Sequence, residues 1–112
     1  MSGSNRINTA RDLYLAFAAG DRPAAERILA DDFSFSSPVD VGLDRAGYFE
    51  RCWPGAGQGQ QFDFIRLLER GDEVVVTYEM TARDGRRGQN TEVLTFGGDR
   101  ITAAEVYFGW NL

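Results

Sequence analysis

The stretch from Asn90 to Trp110 constrains the fold of this chain more than any other. Asn-Thr-Glu-Val-Leu-Thr-Phe runs into Gly97-Gly98-Asp99-Arg100. Ile-Thr-Ala-Ala-Glu-Val-Tyr-Phe-Gly-Trp follows, so two strand-like runs flank a tight turn. Upstream, Val74, Val76, Tyr78 and Met80 alternate with Glu73, Val75, Thr77 and Glu79, the period-two pattern of a strand. Before them Phe62, Phe64 and Leu68 mark another long strand, turned at Arg70-Gly71-Asp72, and Asp84-Gly85 is a hairpin signal. Four long, mainly antiparallel strands are therefore predicted in succession. One carboxylate, Glu92, sits among the apolar residues of the third.

The N-terminal half reads differently. Thr9 is a predicted helix N-cap with Asp12 three residues on, and Leu13, Ala16 and Phe17 share one face with Tyr14 beside it. Gly20 stops that helix. Asp21 and Pro23 open a second, with Ala25, Ile28 and Leu29 facing the core and Asp31 and Asp32 closing it. Phe33, Phe35 and Ser37 alternate with Ser34 and Ser36 in a short strand ended by Pro38. Asp44 then caps a third helix carrying Tyr48, Phe49, Cys52 and Trp53, stopped by Pro54. The Gly-rich run from Pro54 to Gly59 lacks the Lys and Ser/Thr of a phosphate loop. Helices followed by strands make an α+β domain, three N-terminal helices packed on a curved, mainly antiparallel sheet. A single domain spans 1–112, with 1–7 a flexible tail. Ile65, Leu67, Val75 and Val93 give the far sheet face more apolar residues than solvent requires, which predicts a homodimer through the sheet.

Composition removes whole classes of function. A net charge of −5 argues against nucleic acid, whose phosphates need a basic surface. There is no His, so the commonest general base and zinc ligand are both missing, and no carboxylate cluster has metal-ligand spacing. No metal and no cofactor are expected. Acid–base work falls to carboxylates, Tyr and Cys52. One cysteine cannot form an intrachain disulfide, which fits a reducing, cytoplasmic setting. No apolar run reaches the ~18 residues of a membrane span, and no signal-peptide core precedes the first helix.

Leu15-Ala16-Phe17-Ala18-Ala19-Gly20-Asp21, Ala30-Asp31-Asp32-Phe33 and Gly98-Asp99-Arg100-Ile101-Thr102 running into Val106-Tyr107-Phe108 carry a resemblance. Over residues 9 to 112 the chain resembles the nuclear transport factor two-like superfamily, in its SnoaL-like and ketosteroid-isomerase-like branch. The resemblance implies a cone-shaped α+β barrel with a pocket between helices and curved sheet. It does not carry over the chemistry. The proton-abstracting Asp of ketosteroid isomerases falls on Ser37, and their oxyanion Tyr falls on Leu13, one residue before Tyr14. Their protonated acid alone has a counterpart, Glu92. The Asp of limonene-epoxide-hydrolase-like members falls on Val106, with Glu105 on the opposite face.

Glu92 is thus the candidate catalytic residue. Facing inward, it becomes a proton donor or base with a raised pKa; facing outward, it is an interface carboxylate paired with Arg66 or Arg83. A two-residue turn at Asp84-Gly85 groups it with Thr77 and Glu79, and a three-residue loop with Tyr78 and Met80. Tyr14, Tyr78 and Asn90 are candidate polar contacts for a ligand, although buried Tyr hydroxyls commonly just satisfy a neighbour. Phe17, Phe35, Trp53, Val106, Phe108 and Trp110 are candidate walls, with Ser37 near the mouth, although such a set also builds ordinary cores. Asp40 reads as a solvated turn residue and Cys52 as a small buried hydrophobe. The expected ligand is a small apolar or aromatic molecule. The expected chemistry is a cofactor-free isomerase, cyclase or dehydratase-type proton transfer, the alternative being a non-catalytic binding or interaction module.

Overall fold

The computed structural model describes residues 3–112, with side chains from residue 5 onward. Helix α1 (Gly3–Ala19) and α2 (Arg22–Ile28) lead into strand β1 (Leu29–Ser36) and the short β2 (Leu43–Asp44). Helix α3 (Arg45–Arg51) and a 3-10 turn at Trp53–Gly55 follow. Four long strands complete the chain: β3 (Gln61–Arg70), β4 (Glu73–Thr81), β5 (Arg87–Gly97) and β6 (Arg100–Asn111).

Helix α1 starts well before Thr9, so Thr9 is an interior residue and not its N-cap, and residues 3–7 are helical. Met1 and Ser2 lie outside the described residues. Arg6 anchors this first part, donating from Nε and Nη2 to the Gly98 carbonyl at 3.2 and 2.9 Å and lying over the Phe96 ring. At the other end Gly20 adopts a left-handed φ of 71°. The Gly-rich loop has a structural use here. Gly57 N–H donates to the Phe17 carbonyl at 2.7 Å and Gly59 N–H to Ala18 at 3.0 Å, capping carbonyls that a helix end leaves unpaired. A Cβ on Gly20 would press on Gly57 Cα at 3.0 Å, so the loop can approach only a glycine.

Asp21 caps α2 as predicted, accepting from Ala24 N–H. The helix then ends earlier than the sequence suggests. Asp31 and Asp32 belong to β1, both exposed between the buried Leu29 and Phe33. Asp44 caps α3, accepting from Gly47 N–H at 2.7 Å.

One six-stranded sheet runs β2-β1-β6-β5-β4-β3, antiparallel except where β1 lies beside β6. Its inner face packs Val74, Val76, Leu94, Phe96, Ile101 and Ala104, with Leu29 and Phe33 of β1, against Leu13 and Ala25 of the helices. The sheet curls around the helices into a cone. A bulge between Phe64 and Arg66 shifts the alternation of β3. As a result Leu67 turns inward opposite Val76, where the sequence placed it outside, and Leu68 is exposed opposite Val75. Ile65, Val75 and Val93 stay off the core face.

The β4–β5 connection settles the open register. Ala82 N–H donates to the Arg86 carbonyl, leaving the three-residue loop Arg83-Asp84-Gly85 with φ of 89° at Gly85. Val76 therefore opposes Glu92 and Tyr78 opposes Asn90. Glu92 points inward.

Candidate functional site

The cone encloses a cavity of about 320 Å³ between α1, α3 and the inner sheet face. Its deep end is organised by Glu92. Tyr14 Oη donates to Glu92 Oε1 at 2.9 Å, and Tyr78 Oη donates to Oε2 at 2.7 Å. Asn90 Nδ2 donates to the Tyr78 oxygen at 3.3 Å, and Asn90 Oδ1 accepts from Gly109 N–H at 3.2 Å. A chain of donors thus runs from the β6 backbone through Asn90 and Tyr78 to one carboxylate oxygen.

The register explains this convergence. Tyr78 is one residue pair from Glu92 on the same sheet face, and Asn90 opposes it directly. Tyr14 arrives from α1, its ring wedged between Phe62, Phe64 and Tyr78 at centroid distances of 5.3 to 5.6 Å. Leu13, on which the resemblance placed the oxyanion tyrosine, also lines the cavity. Two adjacent helical residues both face it, and the one with the hydroxyl reaches the acid.

Glu92 forms no ion pair among the described residues. Burial disfavours its charged form and raises its pKa; the Tyr78 and Tyr14 hydrogen bonds oppose that shift without cancelling it. The tyrosines move the same way. Burial first, and then the neighbouring carboxylate, push Tyr14 and Tyr78 above their ordinary value, so both are neutral donors at physiological pH.

Of the other predicted site residues, Phe17, Phe35 and Ser37 line the cavity from the helix side and β1, and Val106 and Phe108 line it from β6. Val106 opposes Glu92 directly, and Glu105 pairs with Val93 on the outer face. Two predicted walls are corrected. Trp53 packs behind the cavity, edge-on to Phe17 at 5.6 Å, because the 3-10 turn carries it past the end of α3. Trp110 is 65% exposed, beyond the part of β6 that faces the cone. Ser37 Oγ is committed to a turn, accepting from Val39 and Asp40 N–H at 3.3 Å. Asp40 is not merely solvated. It lines the cavity and pairs with Arg51 at 2.7 Å.

Tyr48 and Cys52 are not among the predicted site residues. Both line the cavity. Tyr48 could have been found from Asp44, since a cap there puts Tyr48 on the buried face of α3 with Phe49. Burial, with Asp40 adding to it, raises the Cys52 thiol pKa, so the group stays protonated. Among the described residues no cluster of three or more His, Cys, Asp or Glu side chains could hold a metal ion. No described helix is long and apolar enough to cross a membrane.

Residues 10–104 match the SnoaL-like domain family over most of the chain. The chain belongs to that family. No curated protein matches this SnoaL-like chain in sequence. Among solved structures it is similar to a candidate ketosteroid isomerase from Kribbella flavida, with a TM-score of 0.80 at 18% identity, covering 96% of this chain and 79% of that one. An epoxide hydrolase of the LEH-like kind from M. tuberculosis gives 0.77 at 17% identity, covering 97% and 86%. A candidate polyketide cyclase from Acidithiobacillus ferrooxidans gives 0.72 at 25% identity, covering 87% and 82%. These likenesses establish the NTF2-like cone. The chemistry differs among them, so activity must be argued from this chain's own cavity.

Proposed function

We propose that this SnoaL-like protein binds a small, largely apolar molecule in the cone and moves a proton on it with Glu92. The observation carrying this is a carboxylate at the deep end of an aromatic cavity, held by two neutral hydroxyls and matched by no cation. A carboxylate in that setting is a stronger base than one in water, and its raised pKa brings it nearer the operating pH of general acid–base catalysis. Among the described residues no Arg lines the cavity, which disfavours anionic ligands. The reaction class is cofactor-free: Glu92 takes a proton from a carbon beside a carbonyl and returns it, as an isomerase or cyclase requires.

One observation favours a second reading. Both Glu92 oxygens already accept tyrosine hydrogen bonds, an arrangement that also suits a purely structural anchor in a binding module. The test is exchange of the α-protons of 1-tetralone in deuterated buffer, followed by NMR. The catalytic reading expects protein-dependent exchange that falls at least ~100-fold in Glu92→Gln, with tetralone binding kept. Binding without exchange selects the binding module. Absence of binding removes both.

The outer sheet face supports a further part of the reading, a homodimer. Ile65, Leu68 and Tyr107 are exposed there beside Val75 and Val93. A monomer mass in sedimentation at micromolar concentration would remove it.

A further inference from the structure

Three tyrosines line the cavity, and two of them spend their hydroxyls on Glu92. Tyr48 does not. Its side chain is buried at 7% exposure, its ring enclosed by Phe33, Phe35 and Phe49 at 5.2 to 5.4 Å. Among the described residues its hydroxyl has no hydrogen-bond partner. Nor is that oxygen sealed: the sealed, unpartnered side-chain polar atoms are Arg45 Nε and Glu69 Oε1. The Tyr48 oxygen therefore keeps some open surface, on a residue that is otherwise buried and that lines the cavity. It stands within the field of Glu92, which together with burial keeps the phenol protonated.

A phenol held this way is rigid. Asp44 caps its helix, and Arg45 ties that helix to α2 by donating to the Glu26 carbonyl at 2.7 Å. Two rings and a tryptophan fix the plane of Tyr48 from β1 and the end of α3. An immobile, neutral donor in an apolar cavity costs free energy while it is unpaired and regains it when an acceptor arrives. Among the described residues Tyr48 is the cavity phenol whose hydroxyl is uncommitted, and the other polar groups are at least partly engaged. Asn90 and Tyr78 are tied into the Glu92 chain, and Ser37 Oγ serves its own turn.

We infer that Tyr48 is the ligand-orienting donor of the cavity, fixing an uncharged apolar molecule by hydrogen bonding to its carbonyl oxygen. This rests on the cavity being a ligand site and adds which end of the ligand is recognised and by what. The carbonyl end lies against α3, and the apolar body lies along the phenyl walls of Phe33, Phe35 and Phe62. Glu92 then meets the ligand at a different atom from Tyr48, a division of labour in which one group orients and the other handles the proton.

The test compares 1-tetralone with tetralin, the same skeleton without the oxygen, on the full chain and on Tyr48→Phe. That substitution removes one oxygen and keeps every ring contact. Calorimetric titration is expected to show tetralone affinity falling about tenfold in the variant, the worth of one net hydrogen bond, with tetralin changed less than twofold. The carbonyl stretch of bound tetralone is expected at lower wavenumber in the wild type than in Tyr48→Phe, a shift that a merely structural tyrosine would not produce. Equal loss of both ligands, or an unmoved carbonyl band, overturns the inference while leaving the cavity a binding site. Tetralin binding with tetralone excluded overturns it as well. Binding of neither compound overturns it together with the reading on which it rests.

Discussion

The two carboxylates of the cavity, Glu92 at its floor and Asp40 at its rim, are held by opposite means. Asp40 accepts from the Arg51 guanidinium at 2.7 Å, a charge matched by a charge, and its backbone closes a turn with Ser37. Glu92 accepts from two phenols and meets no cation. The rim pair stands where water reaches it, with the Arg51 side chain 59% exposed. At the floor, burial outweighs the hydrogen bonds, and the acid holds its proton more tightly than it would in water. The difference teaches that one carboxylate of this cone is held by neutral donors against the cost of its burial and the other by an ion pair.

The largest expected effects follow from removing the floor's donors. Tyr78→Phe leaves Glu92 Oε2 without its donor and Tyr14→Phe does the same for Oε1, each costing about 1–3 kcal/mol at neutral pH. Because both hydrogen bonds lower the Glu92 pKa, their loss raises it further. Chemical unfolding at two pH values checks this, and the loss is expected to be smaller at pH 4, where the carboxyl is protonated in either protein. The double variant should cost less than the sum, since an acid without donors simply keeps its proton. A neutral Tyr78→Phe at pH 7 would break the contrast between floor and rim.

Next in size is the pH dependence of stability. The folded-state pKa of Glu92 lies above its ordinary value of 4.5, so the folded protein binds this proton more tightly than the unfolded chain. Its contribution is fully present below about pH 4.5 and is lost as pH rises through the folded value, then levels off. Each unit of elevation corresponds to about 1.4 kcal/mol. Glu92→Gln retains an acceptor for one tyrosine and abolishes the titration. The stability of the wild type minus that of Glu92→Gln is therefore expected to fall from pH 4.5 toward neutrality. A flat difference across that range means Glu92 is not perturbed.

Much of this arrangement was legible in the residues. Alternation marked β4, the turn at Gly97-Gly98-Asp99 marked β5 and β6, and Asp21 and Asp44 announced their helices, because caps, turns and period-two patterns are local physics. The inward choice for Glu92 was open, because it depended on whether Asp84-Gly85 sits in a loop of two residues or three. The bulge at Ile65 was invisible for a related reason. Phe64-Ile65-Arg66-Leu67-Leu68 is apolar on both faces, so no pattern registers the extra residue that turns Leu67 inward. Trp53 and Trp110 misled because an aromatic reports burial or exposure but not which surface it covers. Tyr48 was overlooked as a site residue because its neighbours mark a core. The meaning of its hydroxyl depends on which other hydroxyls are already taken, and that is a property of the assembled cavity alone.

The smallest expected effect sharpens the comparison from the rim. Arg51→Ala removes the Asp40 pair, and because the guanidinium is largely exposed the cost should stay below about 1 kcal/mol. Salt separates the two ends. At 1 M ionic strength the Debye length is about 3 Å, so the rim contribution should vanish, while the penalty for Tyr78→Phe, the loss of an uncharged donor that is itself buried, should not change. Unfolding of both variants at 0.05 and 1 M sodium chloride checks this in one series. A salt-sensitive Tyr78→Phe would mean that ions reach Glu92. The floor would then be wet, and the elevated acid on which the proton-transfer reading depends would lose its physical cause.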